Sequence, residues 1–176
     1  FIPPTMELNS DKSLFYYTFL DTLYTYSKNE YQLQNKISLP FTYQEISNFK
    51  YNYASKKYTL FSKRANELIL VSYDSDNYTI LHYDTLHVDT SNYYLNISKD
   101  GKYFAIKSNN NKISVYETES LELLRTIHTQ ISINQYEISY NGEWLSIFTN
   151  FISYNNFEFY NLKDTNKSFQ ITNNHY

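Results

Sequence analysis

The stretch SKDGKYFAIKSNNNKISVYETESLELLRTI, residues 98–127, carries the clearest structural pattern in the chain. Apolar and polar residues alternate along it, and Tyr, Phe, Ile, Val and Thr are frequent, which is typical of β-strands. Lys99-Asp100-Gly101 and Asn109-Asn110-Asn111 interrupt the alternation with residues that tolerate the positive φ of hairpin turns. A short two-turn helix over Thr118 to Arg125 is a competing interpretation of the last segment. The stretch and the residues just before it predict strands near 93–98, 102–107, 112–117 and 122–127.

The pattern recurs without a gap 41 residues later, where Ile127–Thr149 superimposes on Leu86–Ser108. The chain has only two glycines in 176 residues, and both fall at the same place in this repeat. Such a coincidence argues against chance. The matched pairs include His87 on His128, Ser98 on Ser139, Gly101 on Gly142, Tyr103 on Trp144 and Phe104 on Leu145.

Two weaker copies lie upstream, with first strands near Leu8 and Tyr51. We identify the third strand of each copy as LYTYS, ILHYD, ISVYE and FEFYN, each with a tyrosine at its second-last position. These tyrosines are Tyr26, Tyr83, Tyr116 and Tyr160. Four strands in each of four copies predict an all-β fold built from β-propeller blades. The predicted blades cover residues 5–40, 46–88, 93–128 and 133–172 of a single propeller domain, or part of one, over residues 1–176.

Residues 98–127 resemble a degenerate WD40 repeat. The SKDG and SYNG turns match the Ser-Pro-Asp-Gly turn of that family, and ISVYE and FEFYN stand where its third strand ends in Trp-Asp. His87 and His128 lie close to the position of the family's conserved His, although neither follows a Gly. The resemblance implies that His, Ser and Tyr could keep part of a hydrogen-bonded relay within a blade. The implied structural repeat positions are His87, Ser98, Asp100, Gly101, Tyr116, His128, Ser139, Gly142, Trp144 and Tyr160.

Composition excludes several classes of function. The net charge of −3 gives no basic surplus for nucleic acid. The absence of cysteine excludes disulfides, zinc fingers and thiol catalysis. No apolar run is long enough to predict a transmembrane helix. We expect an intracellular protein of the cytoplasm or nucleus.

Four blades rarely close a propeller ring alone. We therefore predict a partial propeller, either a fragment of a larger ring or one completed by another chain; a compact four-bladed ring is the alternative. An open blade edge would expose unpaired backbone groups and would invite strand pairing with a partner.

The segment LHYDTLHVD, residues 81–89, is the best candidate for a metal site, with His82, Asp84, His87 and Asp89 as possible ligands. The repeat already gives His87 a structural place, so we predict hydrogen bonding there and no metal or cofactor. With two glycines, the chain can hold neither a Gly-x-Ser-x-Gly elbow nor a glycine-rich phosphate loop. We predict no catalytic residue and no enzymatic activity.

The predicted function is a non-catalytic scaffold that binds other proteins within a complex, through the turn-rich propeller face or an open blade edge. The alternative is a propeller that holds a ligand or metal, with possible enzymatic activity, at a polar site on its central axis. Tyrosines outside the strands are candidates for an aromatic rim, namely Tyr51, Tyr53, Tyr93, Tyr94 and Tyr154. We assign to the core Ile97, Tyr103, Ala105, Ile113, Val115, Trp144, Ile147 and Phe148.

Overall fold

The computed structural model of the chain describes residues 6–8, 14–19, 22–39, 46–52, 57–64, 66–74, 76–88, 94–109, 111–151 and 154–174. Sixteen strands occupy these ranges, and they pair into four antiparallel sheets of four strands each. Strands that follow one another in the chain are neighbours in each sheet. The described ranges hold no helix long and apolar enough to span a membrane.

The chain divides into two compact units, Phe1–Val88 and Asp89–Tyr176. The first unit contains the first two sheets. The first sheet consists of β1 (Met6–Leu8), β2 (Leu14–Phe19), β3 (Thr22–Ser27) and β4 (Leu33–Ser38). The second sheet consists of β5 (Ile46–Asn52), β6 (Lys57–Arg64), β7 (Glu67–Asp74) and β8 (Ile80–His87).

The second unit contains the last two sheets. The third sheet consists of β9 (Tyr94–Ile97), β10 (Tyr103–Asn109), β11 (Lys112–Glu117) and β12 (Leu123–His128). The fourth sheet consists of β13 (Ile133–Ile138), β14 (Trp144–Phe151), β15 (Tyr154–Asn161) and β16 (Ser168–Asn174). Each of the four sheets lies on one predicted copy of the repeat, so the predicted class of four-stranded antiparallel blades is confirmed.

The four strands predicted from residues 93–127 are confirmed to within two residues. The alternative helix over Thr118 to Arg125 is wrong, because Thr118, Glu119 and Ser120 form a turn and β12 begins at Leu123. In this turn the Ser120 hydroxyl donates to the Glu117 carboxylate at 2.6 Å. A two-turn helix is too short to be stable alone, whereas pairing with β11 satisfies the backbone of β12.

The core of the second unit lies between its two sheets. We call the side of the third sheet that carries Ala105, Ile113 and Val115 its forward face. We call the side of the fourth sheet that carries Leu145 and Ile147 its backward face. All five side chains are buried in one apolar cluster. Alternate residues of a strand point to opposite sides, so each sheet has one forward and one backward face.

The first unit follows the same rule. Leu23 and Ile37, on the forward face of the first sheet, pack against Tyr58, Leu60 and Val71 on the backward face of the second sheet. In both units, therefore, the forward face of the earlier sheet meets the backward face of the later one. Of the predicted core residues, Tyr103, Trp144 and Phe148 are only half-buried, and the other five are buried.

The prediction of ILHYD as the third strand of the second copy is wrong. That strand is β7, ELILVSYD, and its second-last residue is Tyr73 rather than Tyr83. Tyr83 lies on the fourth strand of that sheet, where half of its surface is exposed. Six consecutive residues of β7 are buried, so the strand reads as a continuous apolar run without period-two alternation. With this correction, the third strands of all four sheets carry tyrosine at the same position: Tyr26, Tyr73, Tyr116 and Tyr160.

Candidate interaction surface

The turn between β9 and β10 is a closed hydrogen-bonded unit. The Ser98 hydroxyl is buried, donates to Asp100 Oδ1 at 2.7 Å and accepts from the Tyr103 amide at 3.0 Å. The Gly101 amide donates to the Ser98 carbonyl, and Gly101 has a φ of +73°. The Asp100 carboxylate therefore orders its own turn, which is the structural role that the repeat predicts for it.

The turn between β13 and β14 repeats this arrangement. The Ser139 hydroxyl bonds to Asn141 Oδ1 at 3.0 Å and accepts from the Trp144 amide at 2.9 Å. Gly142 has a φ of +66°, and a Cβ placed on it would lie 1.9 Å from Cδ2 of Tyr103. The tip of the fourth sheet thus packs against an aromatic ring of the third sheet, which only glycine allows.

The two histidines of the repeat do not belong to a buried relay. The His87 side chain is 82% exposed, and its Nδ1 atom lies 3.9 Å from a Glu67 carboxylate oxygen. His128 is exposed at the end of β12. Each histidine is the last residue of an edge strand, where its imidazole is exposed to solvent. The relay implied by the WD40 resemblance therefore has no buried histidine at these two positions.

The repeated tyrosines of the third strands serve packing. The Tyr116 ring stacks on Phe104 with centroids 5.2 Å apart. The Tyr160 hydroxyl donates to the Glu158 carboxylate, and the Arg125 guanidinium lies 5.1 Å from the centre of the Tyr160 ring. Burial, together with the bond to Glu158, raises the pKa of Tyr160. This tyrosine therefore stays neutral and acts as a hydrogen-bond donor.

The candidate metal ligands of residues 81–89 are divided between two sides of one strand. His82 and Asp84 share a side of β8, but the strand continues to His87, which points to the other side. Asp89 lies outside the described residues. Within the part of the chain that the structure describes, no three His, Asp or Glu side chains lie close enough to hold a metal ion.

A polar cleft of about 540 Å³ lies in the second unit between the end of β12 and strands β15 and β16, with His128 and Gln130 among its lining residues. At its base the Asn156 amide donates to Glu158 at 2.8 Å and accepts from the Gln170 amide at 2.6 Å. The other oxygen of Glu158 accepts from Tyr160. These polar groups satisfy one another, which favours a structural role for the network.

The forward face of the fourth sheet is an aromatic surface with solvent access, and we call it the outer face. Cross-strand pairing places its side chains on one side of the sheet. Phe157, Phe169 and Ile171 are 39%, 51% and 52% exposed. The apolar members of the outer face are Trp144, Phe148, Phe157, Phe159, Phe169 and Ile171.

The aromatic rings of the outer face are ordered against one another. Phe159 stacks on Phe169 with centroids 4.5 Å apart, and the edge of Trp144 lies against Phe169 at 5.7 Å. Phe148 and Phe157 are 4.9 Å apart and line a depression of about 310 Å³. Gln135 and Glu137 border this depression on the β13 side. An aromatic surface with a polar border is typical of a protein interface.

Comparison of the last two sheets shows why this face matters. The strand register relates each position of the fourth sheet to a position of the third sheet. The equivalent pairs are Phe157 and Ile113, Phe159 and Val115, and Ile171 and Ile127. Those three residues of the third sheet are buried against the following sheet. Two of these positions, Phe157 and Ile171, are therefore exposed in the fourth sheet although their equivalents are buried in the third.

Sequence reasoning missed the outer face. The sequence predicts Trp144 and Phe148 in the core because alternate residues of the two middle strands of a blade pack between blades. The run of Phe157, Phe159, Phe169 and Ile171 is visible in the sequence, but its exposure depends on which sheet lies beside it. Among the expected rim tyrosines, Tyr94 is 69% exposed. The side chains of Tyr51, Tyr53, Tyr93 and Tyr154 lie outside those that the structure describes.

No protein-family model and no curated protein matches the chain. Among solved structures, the chain resembles hydrazine synthase of Kuenenia stuttgartiensis with a TM-score of 0.59 at 15% sequence identity. The match covers 94% of this chain and 48% of the other, so the chain spans about half the length of that protein. In all, 761 solved chains match, and a fold shared so widely does not specify a function. The similarity supports the β-propeller fold class alone.

Proposed function

We propose that the chain is a non-catalytic scaffold of degenerate WD40 type that binds another protein through its outer face. The single observation behind this proposal is the set of six large apolar side chains on the forward face of the fourth sheet. Phe157 and Ile171 are more than a third exposed, although their equivalents in the third sheet, Ile113 and Ile127, are buried. Exposed contiguous apolar surface of this kind marks interaction sites in stable proteins.

The chemistry of the outer face suits a partner that is itself a β-sheet. In the second unit, a forward face is covered by Tyr136, Ile138, Leu145 and Ile147, which alternate along two neighbouring strands. We therefore propose a partner sheet with aliphatic or aromatic residues at alternate positions. Glu137 is exposed at the border of the outer face, which favours a cation at the matching border of the partner.

The WD40 assignment rests on the turns and the third strands. Ser98 and Ser139 organise their turns with the same pattern of hydrogen bonds. The tyrosine at the second-last position of all four third strands stands where the family has its Trp. The exposed histidines are a departure from the family pattern, because they leave the buried relay without its imidazole.

The test uses a photo-crosslinking amino acid at position 169 to capture the partner from the source organism. The captured protein is then purified and titrated with the wild-type chain and with Phe157→Asp. We expect the substitution to weaken binding by about tenfold or more, because it places a charge in an aromatic contact. Ser168→Asp is the matched control, since residue 168 is exposed on the same sheet but faces the other side. Equal affinities for all three proteins would contradict the proposal.

The competing hypothesis of a metal-holding propeller predicts a different result. We expect elemental analysis of the purified chain to find zinc and calcium far below one ion per chain. Stoichiometric metal that survives dialysis would favour the competing hypothesis, with His82, His87 and His128 as the first residues to substitute.

A further inference from the structure

We infer that Asn141 is a site of spontaneous deamidation, and that the hydrogen bonds of its turn control the rate of the reaction. Asn141 is exposed in the turn between β13 and β14, and Asn141-Gly142 is the only Asn-Gly pair in the sequence. Asparagine is a thermolabile residue, and a following glycine has no Cβ to shield the backbone nitrogen that attacks the side chain. This modification requires neither the outer face nor a partner.

The reaction needs only this chain and water. The Gly142 backbone nitrogen attacks Cγ, the side-chain carbonyl carbon of Asn141, and a bond forms between the two atoms. The bond from Cγ to Nδ2 breaks, and the amide group leaves as ammonia together with the proton of the glycine nitrogen. Water then opens the imide ring. Cleavage at Cγ gives aspartate, and cleavage at the backbone carbonyl gives isoaspartate, in which the chain continues through the side chain.

The folded turn engages both reacting groups in hydrogen bonds. The Gly142 amide donates to the Ser139 carbonyl at 3.0 Å. Asn141 Oδ1 accepts from the Ser139 hydroxyl at 3.0 Å and from the Glu143 amide at 3.2 Å. The glycine nitrogen must lose its proton and the side chain must rotate before the new bond can form, so these hydrogen bonds have to break first. The reaction therefore proceeds from an opened turn, and the Ser139 hydroxyl opposes the opening.

The equivalent turn of the third sheet indicates that an aspartate product fits. Asp100 stands at the position of Asn141, and its Oδ1 atom accepts from the Ser98 hydroxyl at 2.7 Å. Deamidation to aspartate therefore gives the second turn the same residue that the first turn already has. Each event also adds one negative charge to a chain whose net charge is −3. Asn141→Asp is the reference protein for this product.

The first test compares asparagines within one sample. The purified chain is incubated at mildly alkaline pH, and peptide mass spectrometry follows the mass increase that marks the exchange of an amide for a carboxylate. Asn77 and Asn166 are the internal controls, because both are exposed in turns but precede residues with side chains. Asn77 Oδ1 also accepts hydrogen bonds, from Thr79. We expect Asn141 to convert at least about tenfold faster than either control, because only its neighbour is glycine.

The second test examines control by the turn. We expect Ser139→Ala to speed the conversion of Asn141 several-fold in the folded chain, because the hydroxyl no longer holds Oδ1. Ser139→Thr keeps a hydroxyl and should react at the wild-type rate. In concentrated denaturant all three chains should react at one rate, because the turn is absent there. Circular dichroism confirms that each variant is folded before the native incubation.

Three results would overturn the inference. The first is conversion of Asn141 no faster than that of Asn77 and Asn166. The second is an equal native rate in the wild-type chain and in Ser139→Ala. The third is a faster reaction of Ser139→Ala in denaturant as well, since the effect would then come from the local sequence and not from the folded turn.

Discussion

Small polar and aromatic residues at recurring positions stabilise the last two sheets. The Ser98 hydroxyl joins both ends of one turn, and Ser139 does the same in the next sheet. The buried Tyr136 adds a hydrogen bond that a phenylalanine could not make. The Tyr136 hydroxyl donates to the Tyr94 carbonyl at 2.6 Å, which ties the fourth sheet to the third.

The glycine of the fourth sheet provides a sharp test at this level. Gly142→Ala should lower the free energy of unfolding by about 2–4 kcal/mol, from backbone strain at positive φ and from overlap with Tyr103. We expect Gly142→Ala in a Tyr103→Ala background to cost clearly less, because the overlap is gone. Denaturant unfolding measures the free energy lost through Gly142→Ala in each of the two backgrounds. Additive losses would show that the ring contact is not the cause.

Buried tyrosines make stability fall at alkaline pH. Burial raises the pKa of Tyr73 to about 12 and raises that of Tyr136 as well, from an ordinary value of 10.0. The folded chain therefore holds protons that the unfolded chain releases, so this stabilisation is complete below pH 10 and is lost as pH rises further. We expect the fall above pH 10 to be less steep in Tyr136→Phe. Chemical denaturation between pH 8 and 12 measures the free energy of unfolding of both proteins. An identical pH dependence in the wild-type chain and in Tyr136→Phe would contradict this role of Tyr136.

At the level of strands and sheets, strand pairing decides which of two similar tyrosines is buried. Tyr73, near the end of the third strand of the second sheet, is 1% exposed and stacks on Tyr58 with centroids 5.2 Å apart. Tyr83, on the neighbouring edge strand, is 51% exposed. Tyr73 and Tyr83 are each followed by an aspartate, so the sequence alone does not distinguish them. The structure does, because β7, which carries Tyr73, is the strand that pairs with β6.

This distinction gives the prediction for the second sheet. Tyr73→Ala should lower the free energy of unfolding by about 3–5 kcal/mol, as expected for truncation of a buried aromatic residue. Tyr83→Ala is the matched control and should cost less than about 1 kcal/mol because its ring is exposed. Thermal or denaturant unfolding compares them. Equal losses of stability from the two substitutions would contradict the assignment of Tyr73, rather than Tyr83, to the third strand.

Much of the architecture follows from local signals. The alternation over residues 98–127, the Asp-Gly turn and the gapless repeat were enough to predict the blades and the strands of the third sheet. The second sheet was harder, because β7 is buried on both sides and loses its alternation. The outer face was not predictable, because the burial of Phe157 or Phe169 depends on the next sheet and not on the strand itself.

For the molecule as a whole, one asymmetry distinguishes the fourth sheet. The forward faces of the first and third sheets are packed against another sheet of the same unit, whereas the outer face carries aromatic rings into solvent. Burying these rings against a complementary sheet would stabilise a complex by the same apolar contacts that hold the second unit together. The outer face is therefore the part of the molecule on which its proposed role depends.

Photo-crosslinking at four successive positions of β16 tests this claim most directly. Residues 169 and 171 belong to the outer face, whereas residues 168 and 170 of the same strand point to the other side. The crosslinker is placed at each position in turn, and the yield of covalent protein adduct is measured under identical illumination. We expect high yields at 169 and 171 and low yields at 168 and 170. Equal yields at all four positions, or no adduct at 169 and 171, would contradict a binding role for the outer face.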